Sequence, residues 1–318
     1  MIKDADFTDE PLNPDYRAGD PPHRRLLAIH SGDQPEVLEV AAEMRRVLAK
    51  YPGDRLLIGE IYLPVKRLVA YYGPDLTGIH LPFNFNMMFV DWTPAKVLPL
   101  VREYESLLPS GGWPNWVLGN HDQPRVATRF GPAQARAAMV LLMTLRGTPT
   151  LYYGDELGLE SVPVPPERRL DPFGINRDPA RTPMPWSNTA KADFTTGEPW
   201  LPIGADHPAE SVAMQRPDDG SMLNFTRELL ALRRREPALS LGDWAQLAVE
   251  GDVLAYVRSR GERRCGVVLN LESVPKAVRF EHRTRGTILL STHDGRSGQQ
   301  VRDRVDLGAD EAVIIELE

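Results

Sequence analysis

The sequence predicts an α/β protein built on parallel strands and finished by a small all-β domain. Three observations carry that reading. Short apolar runs end in polar residues, as in Leu57-Ile58-Gly59-Glu60 and Val117-Leu118-Gly119-Asn120-His121-Asp122. Stretches of helical periodicity separate such runs. From about residue 241 the pattern changes to short β-branched runs between charged turns.

Taken in chain order, Asp33 is placed to cap a helix that starts near Pro35 and sets Val37, Val40, Met44, Val47 and Leu48 on one face. Tyr51-Pro52-Gly53 ends it. Leu56 to Ile58 is too short for a helix and continuously apolar, as a strand covered on both faces should be, and it delivers Glu60 at its end. Three more units repeat this order. A strand at Ile79 to Phe83 leads to a helix opened by Thr93-Pro94 and running to Leu108. A strand at Asn115 to Leu118 leads past Pro132 to a helix at Ala135 to Leu145. Thr150 to Tyr153 is the fourth strand. Four such units fit either an open doubly wound sheet or half of an eight-stranded barrel. Prolines cluster in 161–185 and 199–217, which should be long loops. A helix near Leu223 to Arg235 precedes strands at Val253 to Val257, Gly266 to Leu269, Thr287 to Leu290 and Val313 to Leu317.

Composition narrows the function. At 318 residues, 42% of them hydrophobic and 25% charged, the chain can bury one large or two ordinary domains. Its 37 basic and 44 acidic residues are interspersed, giving a formal charge of −7 and no basic block for phosphates, so nucleic acid is not an expected partner. Arg233, Arg234 and Arg235 close an amphipathic helix, where cations complement the dipole. No window approaches the 18 or more apolar residues that span a bilayer, and MIKDADFTDE lacks a signal-peptide core, so we expect a cytoplasmic protein with no membrane partner. Cys265 lies in the apolar run CGVVLN and reads as strand packing. Asn224-Phe225-Thr226 matches the glycosylation pattern but should carry no sugar without export. The seven histidines are scattered and no glycine-rich phosphate loop follows a strand, so no metal and no cofactor is expected.

The chemical signal is the convergence of Glu60 and Asp122 at the ends of strands that share one rim. A protonated carboxyl can donate to a leaving oxygen while an ionised one holds hydroxyls or stabilises a positive sugar ring. Each could equally cap a loop or pair with an arginine. Tyr62, Phe83, Phe85, Trp113, Trp116, Tyr152 and Tyr153 crowd the same loops and could stack on sugar faces, although core packing is the ordinary use of such rings. Met87 and Met88 read as packing and His80 as a structural hydrogen-bonder.

At LIGEIYLP (57–64), HLPFNF (80–85), WVLGNHDQPR (116–125), TLYYGDELG (150–158) and RDPARTPMPW (177–186), the chain resembles the α-glucosidase and oligo-1,6-glucosidase branch of the α-amylase family of glycoside hydrolases. The resemblance implies the C-terminal half of a (β/α)8 TIM barrel over 1–240, followed by a β-domain over 241–318. It implies retaining hydrolysis of short α-glucosides, with an oligosaccharide or disaccharide as substrate. Carried over residue by residue, it makes Glu60 the general acid/base, Asp122 a stabilising carboxylate, His121 its hydrogen-bonding neighbour and Arg177 a holder of the terminal glucose. The family's nucleophile is an aspartate in a Gly-Phe-Arg-x-Asp setting before the stretch resembling IKDADF. Met1 stands where that stretch begins. The expectation is therefore a truncated chain that lacks the nucleophile, is inactive alone and self-associates through open half-barrel edges. A transglycosylase, a sucrose-splitting relative or a non-catalytic sugar-binding fragment are the alternatives.

Overall fold

The structure, a computed structural model, describes residues 6–20, 22–172 and 175–318. Four parallel strands follow one another in space as in sequence: β1 (Ile58–Gly59), β2 (Leu81–Pro82), β3 (Asn115–Val117) and β4 (Thr148–Thr150). β1 pairs with β2 and β3 with β4, and a parallel bridge between Asn84 and Trp116 joins the two pairs. Helix α1 (Glu36–Leu48) precedes β1, while α2 (Pro94–Leu107) connects β2 to β3 and α3 (Pro132–Thr144) connects β3 to β4, as parallel connections require. Pro94 and Pro132 both open their helices, where a missing N–H costs nothing.

β1 departs from the expectation of a strand covered on both faces. Leu56 and Ile58 are 61% and 50% exposed. The carbonyls of Leu57 and Gly59 accept from Leu81 on β2 and from Phe83 just after it, so the backbone groups of Ile58 and Glu60 face the open edge. The stripe expected to bury α1 is uncovered too: Val40, Met44 and Val47 are exposed and only Ala41 is buried. Asp33 does not cap α1; it adopts a left-handed backbone and accepts from Arg67 Nε at 2.7 Å and the Tyr71 hydroxyl at 3.2 Å. β4 lies earlier than Thr150 to Tyr153, because a turn bonded from Asp155 N–H to the Tyr152 carbonyl takes the chain out of the ladder.

Helix α3 is buried along nearly its whole length, between the parallel strands and a large antiparallel sheet. That sheet has six strands in the order β11-β10-β13-β8-β7-β5: β5 (Asp243–Gln246), β7 (Leu254–Arg260), β8 (Arg263–Leu269), β10 (Arg285–Ser291), β11 (Gln300–Arg302) and β13 (Ala312–Leu317). Alternation decides its two faces. Leu254, Tyr256 and Cys265 pack towards α3 and helix α4 (Met222–Arg235). Ala255, Val257 and Val268 face a second sheet, ordered β12-β9-β6, of β6 (Val249–Glu250), β9 (Lys276–Phe280) and β12 (Arg304–Leu307). Two buried polar contacts fasten the large sheet to α3. Arg258, fully buried, donates to the carbonyls of Thr144 and Gly242, and the Tyr256 hydroxyl bonds Thr144 Oγ1 at 2.5 Å. Arg233 at the end of α4 donates to the carbonyls of Met143 and Gly147, a structural use of the basic cluster. Burial pushes the Cys265 thiol up to about 12, so it is no nucleophile. Asn224 spends its amide on the carbonyls of Gln215, Arg216 and Asp218.

Candidate active site

The carboxyl ends of the parallel strands form one rim, and the residues singled out from sequence gather there. Glu60 is exposed where the chain leaves β1. Beyond β3, Asn120 Oδ1 accepts from the Asp122 N–H at 3.0 Å, a turn that short Asn side chains make readily. The same Asn120 donates through Nδ2 to the Tyr62 hydroxyl at 2.8 Å, tying the loop of Asp122 to the loop of Glu60. Burial raises the Tyr62 pKa, and both Asp122 and Glu60 add to the rise, so both carboxylates reach this hydroxyl electrostatically.

Asp122 is the centre of the charge arrangement. Its Oδ1 accepts from Arg177 Nη1 at 2.9 Å and Arg181 Nη2 at 2.8 Å, and His121 Nε2 lies 3.4 Å away. Arg177 is itself held by Asp171, through Nε at 3.0 Å and Nη2 at 2.7 Å, and this pairing first, with Asp122 second, keeps it firmly protonated. Arg181 donates through Nε to the His121 carbonyl at 2.8 Å. With two guanidiniums on Oδ1, the second oxygen of this carboxylate is left to accept from hydroxyls. Asp122, Thr128, Ser161, Asn176 and Arg177 line an open pocket of about 520 Å³.

Of the residues singled out from sequence, His121, Asp122 and Arg177 come together, and Glu60 stands at the end of β1, with β2 between it and the strand that leads to Asp122. Sequence reasoning missed Arg181, Asp171 and the linking role of Asn120. The spacing of Arg177 and Arg181 across the turn Asp178–Ala180 was the available signal for the second arginine. Of the aromatic group, Tyr62 and Tyr153 remain exposed at the rim. Trp116 is core, donating to the Arg146 carbonyl and packed edge-on against Tyr104, and Phe85 is buried. Met87 and Met88 are buried, and His80 Nδ1 accepts from the Leu57 N–H at 3.0 Å. Among the described residues no group of three His, Cys, Asp or Glu is placed to hold a metal, and no helix is long and apolar enough to cross a membrane.

Residues 3–242 match the family described as Alpha amylase, catalytic domain. A probable alpha-glucosidase of Rhizobium meliloti (strain 1021) is 33% identical over 207 residues, which are 61% of this chain and 37% of that protein. Maltase A1 of Drosophila melanogaster is 34% identical over 216 residues, 63% of this chain and 37% of that one. Among solved structures, an alpha-glucosyl transfer enzyme, XgtA, is 31% identical and matches all of this chain and 62% of its own with a TM-score of 0.86. The chain spans a little over a third of the length of the two curated relatives.

Proposed function

Because this chain belongs to the α-amylase family through its catalytic domain, we propose that it carries the acid/base half of a retaining α-glucosidase-type site acting on short α-glucosides. The observation that supports this best is the Asn120–Tyr62 bond, which puts the loops of Glu60 and Asp122 on one rim.

In this reading Glu60 gives its proton to the leaving glycosidic oxygen and later takes one from the attacking water. Asp122, held by Arg177 and Arg181, holds ring hydroxyls and favours the positively charged sugar of the transition state. His121 contributes a further hydrogen bond, and Arg177 helps hold the terminal glucose. Retention needs a second carboxylate about 5 Å from the acid as nucleophile. Asp122 and Asp171 are both engaged by arginines, so we assign neither that task and infer a nucleophile outside the described residues.

Transfer to a sugar acceptor is the second reading, favoured by the likeness to the alpha-glucosyl transfer enzyme over the whole chain. The test joins or mixes this chain with strands that complete the barrel and follows maltose, isomaltose and sucrose by product NMR. Glucose release from maltose or isomaltose that is abolished by Glu60→Gln supports hydrolysis. Longer glucosides in place of glucose favour transfer, and turnover indifferent to Glu60→Gln rejects both readings.

A further inference from the structure

Glu60 is exposed and, among the described residues, its carboxyl has no hydrogen bond or ion pair of its own, so its aim is set by the backbone that carries it. That backbone is pinned on both sides by residues 83–86, just beyond β2. The Gly59 carbonyl, before Glu60, accepts from the Phe83 N–H at 2.8 Å. The Leu63 carbonyl, after it, accepts from Asn86 Nδ2 at 3.0 Å. Only Glu60, Ile61 and Tyr62 span the gap. Ile61 is buried in the core, and the Tyr62 ring lies 4.3 Å from that of Phe85, so the same short segment also holds the span in its middle.

Asn86 is aimed in turn by Asn84. Asn84 Oδ1 accepts from the Asn86 N–H at 3.1 Å and from Asn86 Nδ2 at 2.9 Å. A backbone N–H can only donate and the Leu63 carbonyl can only accept, which fixes the orientation of both amides. Asn84 is fully buried and bridges Trp116 of β3, so the chain of contacts runs from the strand that leads to Asp122 across to the loop of Glu60. Among the described residues Asn84 Nδ2 is buried without a hydrogen-bond partner. A buried donor left unpaired costs stability that an apolar side chain of similar shape does not. Asn84 is thus poorly suited to packing alone, and its acceptor oxygen is what the position uses.

We propose that Asn86, aimed by Asn84, is the positioning residue for Glu60: the pair clamps the far end of the acid's loop and keeps its carboxyl within reach of the glycosidic oxygen. This rests on the reading of Glu60 as the general acid/base. A proton donor must lie within hydrogen-bond distance of the oxygen it serves, and a displacement of about 1 Å slows the transfer steeply. Releasing the Leu63 carbonyl removes no contact to the sugar held by Asp122 and Arg177. The loss should therefore fall on the chemical step and not on binding.

Asn84→Leu is the decisive variant, because Asn84 is buried and out of reach of sugar. In the full chain the amide order parameters of Glu60 to Tyr62 should fall from roughly 0.85 to below about 0.6, with the urea midpoint unchanged. Asn86→Ala should loosen the same residues, and the double variant no further than Asn86→Ala alone, because both changes break one link. With the barrel completed and maltose as substrate, Asn84→Leu should lower kcat about tenfold and leave KM within about twofold. If Asn84→Leu does not fold, Asn86→Ala decides by the same order parameters. A loop that stays rigid in the variants, or a rise in KM with kcat intact, overturns the inference. So does loosening that spreads through the chain with a fallen urea midpoint. Should turnover ignore Glu60→Gln while the loop still loosens, the acid/base reading falls and the hold of Asn86 on the loop stands.

Discussion

Asn120 reaches across 2.8 Å to the hydroxyl of Tyr62, so two loops that leave different strands share one bond at the mouth of the array. Tyr62 lies two residues after Glu60 and Asn120 two residues before Asp122. The coupling of the two carboxylates is therefore local and testable. Tyr62→Phe removes the acceptor while keeping the ring, and should cost about 1 kcal/mol of sugar binding, roughly a fivefold weaker affinity for maltose by NMR titration. An unchanged affinity would mean that other contacts hold the loops.

Asp155 gives the molecule an unusual pH dependence. Its folded-state value of about 7 lies above the ordinary 3.8. Between these values the native chain keeps a proton that the unfolded chain has released, so this group's contribution to stability falls as pH rises through the window and levels off above it. Urea denaturation of wild type and Asp155→Asn at pH 4 and 8 should show their stability difference shifting by on the order of 2–4 kcal/mol in favour of the variant at the higher pH. A difference independent of pH would contradict the assignment.

Glu311 is fully buried among partners that only a carboxylate satisfies. It accepts from Arg296 on both oxygens at 2.9 Å, from Ser291 Oγ at 2.6 Å and from the Gly308 N–H at 2.6 Å. Glu311→Ala strands the arginine and the amide together and should destabilise by roughly 3–5 kcal/mol. Chemical denaturation reads the loss, and a change under about 1 kcal/mol would show that water replaces the carboxylate.

The open edge of β1 should drive association. We expect weight-average mass to rise with concentration in sedimentation velocity, and Ile58→Lys to suppress the rise by placing a charge on an edge strand. Equal association of the two proteins would move the contact away from this edge.

Much of this arrangement is legible in the sequence because its elements are local. Thr93-Pro94 and Pro132 mark helix starts, and the ends of the β1 and β3 runs locate Glu60, His121 and Asp122. The rest depends on contacts between residues far apart in the chain. Val40, Met44 and Val47 have the spacing of a buried face, but spacing cannot say whether anything covers it. Lys276 to Phe280 and Arg304 to Leu307 carry a weak strand signal because charged residues alternate with Val278, Phe280, Val305 and Leu307, a pattern that makes sense only once the large sheet lies against them. Asp171 lies in a proline-rich loop without periodicity, so its pairing with Arg177 has no local signature.

The bonds from Arg258 and Tyr256 to Thr144 put the last turn of α3 and the middle of β7 in one buried network. Neither side can lose the other without exposing a guanidinium's partners and the apolar face shared by Leu254, Cys265 and Leu141. Heat should therefore melt the helices around α3 and the antiparallel sheets in a single calorimetric transition. For anyone building chimaeras, the C-terminal sheets are not an exchangeable accessory: a replacement must bring its own Arg and Tyr to meet Thr144, or it will unfold the rim of Glu60 and Asp122 from behind.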